Sequence, residues 1–291
     1  MKYLIILLVF TVGKTVYGGY KHIGNFYSRT NIKDSFHKHN DIIQKLALNT
    51  VLINSKVRTG INRGTGFYLG LHKGKHLVLT NSHVMDKNEC EGARVTFLTR
   101  SLNTFTFSCN EILLNLYQRE QSDLTLFSVK FNGHEDKLGS GLKLDLSYSP
   151  IAGEELAIIG FGIKKAPSRM IDFRLKRFTP LLSMDNDCVI ASPTGVTVFF
   201  GGSSQVDHTF ATGCDVATGD SGSAILNRNT GEVVGLLWGM GSDATDKYKQ
   251  QNSEYFMNEV VGKNHSMVWK NLSYGILLSQ LQEKLSTFLT E

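Results

Sequence analysis

Apolar residues in this chain come in short bursts, each bounded by turn-forming residues. They are NTVLIN (49–54), GTGFYLG (64–70), HLVLTNSHV (76–84), ARVTFL (93–98) and DLTLFSVKF (123–131). ELAIIGFG (155–162), CVIAS (188–192), GSAILN (222–227), EVVGLLWG (232–239) and SYGILL (273–278) follow. β-Branched and aromatic residues dominate these bursts, and their regular spacing predicts an all-β sandwich or barrel. One stretch has a different period. In LSQLQEKLSTFL (278–289) the residues Leu278, Leu281, Leu285, Phe288 and Leu289 fall on one helical face, which predicts a C-terminal helix packed on the sheets.

Two regions lack either period. Residues 19–45 are polar and read as a propeptide or a wrapping arm. Residues 241–271 are a long polar insertion between two strands and read as a surface loop. The first residues carry a different message. Lys2 precedes an apolar run from Tyr3 to Val12 that is too short to span a bilayer, and small residues at Val16 and Gly18 suit a signal peptidase. Residues 1–18 are therefore expected to be a signal peptide, and the protein to be secreted or periplasmic, without stable membrane insertion.

Composition narrows this little: 291 residues, 41% hydrophobic and 20% charged, can bury a sizeable core. The net charge of +5 includes Lys2 and Lys14; losing these two with residues 1–18 leaves +3, too mild a balance to indicate nucleic acid. The four cysteines, Cys90, Cys109, Cys188 and Cys214, read in an exported chain as two disulfides. Three pairings are possible. Cys90–Cys109 with Cys188–Cys214 is favoured, since each bridge closes a loop within one half of the molecule, worth about 3 kcal/mol on the chain-entropy model. No C-x2-C or H-x3-H spacing supports a zinc site.

The chemistry lies in three places. Serine is a weak nucleophile until a base takes its proton. Histidine suits that role near neutral pH, and a carboxylate must orient it. Here His83 stands in a turn of small residues after an apolar strand, Asp123 opens a later strand, and Ser221 lies in Gly219-Asp220-Ser221-Gly222. Alone, each is unremarkable: a turn histidine, a strand start, a surface turn. The order His…Asp…Ser, with the phrases LTNSHV, SDLTLFSV and GDSGSAI, resembles the trypsin/chymotrypsin-like serine endopeptidases. The likeness is nearest to their secreted bacterial-type branch, where GTGF precedes the histidine strand and Cys-Asp stands before the serine.

The resemblance covers about residues 47–285. It implies two six-stranded antiparallel β-barrels, about 47–145 and 146–278, then a helix at 278–290, with the site in the cleft between the barrels. It implies a triad of His83, Asp123 and Ser221, an oxyanion hole from the Gly219 and Ser221 N–H groups, and no metal or cofactor. Leu236 to Gly239 would be an edge strand on which the substrate backbone pairs. Asp215, Trp238, Gly239 and Gly275 would shape the primary specificity pocket. An aspartate there implies cleavage after Lys or Arg; the same residue could instead hold the loop anchored by Cys214. The family commonly has a serine before the tryptophan, bonding the catalytic aspartate, where this chain has Leu237. Buried beside the nucleophile, Asp220 needs a cation. In relatives made as zymogens this is a new N-terminal ammonium, so the resemblance implies processing within residues 19–48. The partners implied are polypeptide substrates, met by a monomer. A catalytically inactive homologue using the cleft as a binding module is the alternative.

Overall fold

The computed structural model describes residues 20–21, 29–57, 60–116, 122–131, 133, 137–162, 179–200, 204–240, 253–263 and 272–289. The predicted signal peptide at 1–18 lies outside them. The chain opens with an arm: β1 (Tyr20–Lys21), β2 (Thr30–Asn31), α1 (Ile32–Ser35), a 3-10 turn and α2 (Asp41–Asn49). Asn40 caps α2 by accepting the Ile43 N–H at 3.0 Å, and Ile43, Leu46 and Ala47 line its buried face.

Six strands then follow: β3 (Thr50–Val57), β4 (Gly60–His72), β5 (Lys75–Thr80), β6 (Arg94–Leu98), β7 (Thr104–Leu116) and β8 (Leu124–Lys130). They close as a barrel in the order β3-β4-β5-β8-β7-β6. Alternation puts Val51 and Ile53 of β3 inside with Val78, Val95, Phe97 and Phe127. The β4–β5 hairpin turns on Lys73 and Gly74, both with positive φ, which matches the strand twist.

The second half holds β9 (Leu156–Gly160), β10 (Leu181–Ser183), β11 (Ile190–Phe200), β12 (Ser204–Thr212), β13 (Val216–Ala217), β14 (Ala224–Asn227), β15 (Val233–Met240) and β16 (Ser273–Leu277). Where a second six-stranded barrel was expected, an eight-stranded sheet curls on itself in the order β11-β12-β16-β15-β14-β9-β10-β2. The Leu156 N–H to Cys188 carbonyl (2.8 Å) and Ile190 N–H to Glu154 carbonyl (3.0 Å) bonds draw the start of β11 back to the residues leading into β9. The arm supplies β2 to this sheet, and β1 pairs with β13.

Two helices complete the fold. The C-terminal one begins as a 3-10 turn over Leu278–Leu281 and continues as α4 (Gln282–Leu289), burying Leu278, Leu281 and Leu285 as its period predicts. The 241–271 insertion is more than a surface loop. Within it α3 (Ser253–Glu259) buries Phe256, with Val260 just beyond. A methyl group at Gly213 would collide with the Phe256 ring at 2.6 Å, so glycine there admits the helix. Both disulfides are the favoured ones, Cys90–Cys109 and Cys188–Cys214. No described helix is long and apolar enough to cross a membrane.

Candidate active site

The histidine turn is fixed by polar residues buried with it. β5 ends at Thr80, and the Asn81 carbonyl accepts the Val84 and Met85 N–H groups, both at 3.1 Å. The Asn81 side chain donates to the Asp123 carbonyl and the Ser82 hydroxyl to the Leu124 carbonyl, both at 2.8 Å. The turn therefore sits against the start of β8, which delivers Asp123. The Asp123 carboxylate takes the His83 N–H at 2.9 Å through one oxygen and His83 Nδ1 through the other. Two bonds from one residue fix the ring plane. They leave the side chain 41% exposed toward solvent. Among the described residues every hydrogen bond to that carboxylate comes from His83, and Leu237 is buried in the core of the second half.

Ser221 lies between β13 and β14, and β4 ties it to the first barrel. Asn62 of β4 donates to the His83 carbonyl at 2.8 Å; three residues along, the Thr65 N–H donates to the Ser221 carbonyl at 2.9 Å. One short piece of strand thus holds both residues. The Thr65 hydroxyl donates to the Gly219 carbonyl (2.8 Å) and accepts the Phe161 N–H (3.0 Å), while its own carbonyl accepts the Thr80 hydroxyl at 2.6 Å. Gly222 has φ +89, and a Cβ there would stand 2.0 Å from the Thr65 carbonyl oxygen, so only glycine lets the barrel and the second half approach so closely. Among the described residues neither the Gly219 nor the Ser221 N–H donates to a protein acceptor.

Asp220, between them, turns inward and is buried. Its carboxylate accepts the Gly162 and Ala217 N–H groups at 2.6 and 2.7 Å, and both arms of the Arg29 guanidinium at 2.6 and 2.7 Å. The position that the resemblance assigns to a newly cut N-terminal ammonium is filled by an arginine of the arm.

The substrate side of the site differs from expectation at several points. Asp215 is fully buried, and its N–H donates to the Ser183 hydroxyl at 2.9 Å. Gly239 lies opposite Tyr274, not Gly275. The side of Gly275 where a Cβ would stand faces Ile225 (2.3 Å) and Phe210 (2.9 Å) in the core, so it is no pocket wall. Among the described residues nothing crowds the corresponding side of Gly239. The Leu236–Gly239 segment is not an edge strand along its length, because β15 runs between β16 and β14. The Leu237 N–H and carbonyl are taken by Ser223 and Gly222 at 2.9 and 2.8 Å; only Trp238 to Met240 run past β14. Trp238 sits where the β15–β16 register slips.

A model of the trypsin-like peptidase domain matches residues 64–236, more than half the chain. The chain belongs to the trypsin-like peptidase family. It is a serine endopeptidase by fold and family. A search of curated proteins finds no match. Among solved structures it is similar to the Rv3671c protease from M. tuberculosis in its active form: 15% identity, 87% of this chain, 86% of that one, TM-score 0.54. It is also similar to a variant of the HtrA-type protease AlgW with a tripeptide: 12% identity, 86% of this chain, TM-score 0.50. The peptidase spans 63% of that AlgW chain. At these identities the likeness is one of fold.

Sequence reasoning missed four residues of this peptidase site. Thr65, and the pair Asn81-Ser82, lay inside phrases already singled out, GTGF and LTNSHV, but were not given roles. Arg29 had no signal: it stands 191 residues from its partner, in a segment without pattern.

Proposed function

We propose that the peptidase is secreted and cleaves polypeptides through an acyl-enzyme on Ser221. Ser221 Oγ attacks the scissile carbonyl as His83 Nε2 takes its proton; Asp123 holds the tautomer and stabilises the imidazolium. The Gly219 and Ser221 N–H groups receive the oxyanion. Collapse passes the proton from His83 to the leaving amine, and water then repeats the cycle on the ester to free the acid. The observation that carries this reading is the doubly bonded His83–Asp123 pair, tied through β4 to the Ser221 loop. Export is supported by the signal-like residues 1–18, and the two disulfides fit an oxidising compartment. For Asp215, complete burial favours a role anchoring the loop beside the Cys188–Cys214 bridge over one meeting a substrate Lys or Arg. An Arg preference lost in Asp215→Ser would reverse that assignment.

The test is labelling by a fluorophosphonate probe, with mass mapping of the modified residue. Modification of Ser221, together with a loss of about 10⁶ in kcat for Ser221→Ala, is the expected result. Folded protein that neither labels nor hydrolyses peptides would make it an inactive homologue.

A further inference from the structure

We infer that Arg29 is a positioning residue that keeps the oxyanion loop assembled. The active peptidase then retains Arg29 and needs no cut between residues 29 and 48. This rests on the proposed role of the Ser221 loop.

Asp220 separates the two residues whose N–H groups face the developing anion, so the direction of its side chain sets both peptide planes. That side chain cannot face outward while its carboxylate holds Gly162 and Ala217. Gly160 and Gly162 make the room: a Cβ on either would lie 2.3 or 2.5 Å from an Asp220 oxygen. Two N–H groups do not neutralise a buried charge, and removing the cation from such a pair leaves it uncompensated. The Arg29 side chain is 1% exposed and meets the carboxylate with both terminal nitrogens, a fork that a lysine cannot reproduce.

The arm is built to deliver that fork. Thr30 and Asn31 pair with Leu182 and Leu181, and the Ile32 N–H donates to the Pro180 carbonyl at 3.1 Å. Ile32 and Phe36 are buried just beyond. A terminus created between 30 and 48 would meet an anion already neutralised. If the arm were shed, the anion would lose its cation.

The experiment begins with the full chain as its host exports it. The species that labels with fluorophosphonate and hydrolyses peptide is isolated, then its N-terminus and intact mass are read. Residue 29 should be present and joined to residue 49. An active species beginning anywhere from 30 to 49, or activity arising only after such a cut, overturns the inference while leaving the peptidase reading intact. Full-length protein that neither labels nor gains activity on cutting counts against the peptidase reading instead. In parallel, Arg29→Gln should lower kcat and the labelling rate by about 10²–10³ with KM within a few-fold, the scale of losing an oxyanion donor. Arg29→Lys, which keeps the charge, should recover part of both. If Arg29→Gln does not fold, Arg29→Lys alone decides: unchanged kcat and labelling would show the fork has no part in the loop.

Discussion

Thr65→Val tests whether the two halves of the site are held by one side chain. Valine keeps the shape and the backbone N–H that binds the Ser221 carbonyl, and removes only the hydroxyl. The Gly219 carbonyl then loses its donor and the Phe161 N–H its acceptor. Leaving a buried polar group unpaired costs about 1–3 kcal/mol. Thr65 is fully buried, but Gly219 and Phe161 are half-buried and can partly rehydrate. The sum should therefore be about 2–3 kcal/mol, read as a lower urea midpoint at unchanged slope. The freed Gly219 peptide also loses the contact that aims its N–H. Complete loss of such a donor costs about 10²–10³ in kcat. With Asp220 still clamped we expect about 10–10², and recovery in Thr65→Ser. A valine variant within about 0.5 kcal/mol of the parent, with full kcat, would refute the idea that this hydroxyl joins the halves.

Asp123→Asn should lower kcat by about 10⁴ through the wrong histidine tautomer, measured at pH 7 under saturating peptide; near-full activity would require another carboxylate to orient His83. Replacing Cys188 and Cys214 together by alanine should cost about 3–4 kcal/mol on the chain-entropy model for a 26-residue separation. Denaturant unfolding reads it, and a loss below about 1 kcal/mol would show the loop is held by Phe256 and Ser183 instead.

What the sequence revealed follows the reach of its patterns. A period of two announces a strand wherever one face is buried, so most bursts became strands with the right residues inside, Val51 and Ile53 among them. The period says nothing of which strand lies beside which. For that reason it does not tell that β14 covers the start of Leu236–Gly239, leaving only Trp238 onward as an edge, or that the Cβ side of Gly275 faces the core. The His83–Asp123 contact was legible because each residue sits in a phrase whose order carries information. Arg29 was illegible because a buried ion pair across 191 residues leaves no local mark. Phe256 hid likewise: in a mostly polar stretch it docks against a glycine whose importance shows only in three dimensions.

The place of β16 has a consequence for when this chain becomes dangerous to its neighbours. In the sheet it stands between β12 and β15, yet it follows every other described strand in chain order. Until residue 277 has left the ribosome and threaded between them, β12 and β15 have no common partner, and the strand bonded to the Ser221 loop lacks one neighbour. Such non-local pairings form late, after their loop-closure entropy has been met. Synthesis order thus acts as a timer, withholding the scaffold of the Ser221 loop from nascent chains until residue 277 has been made.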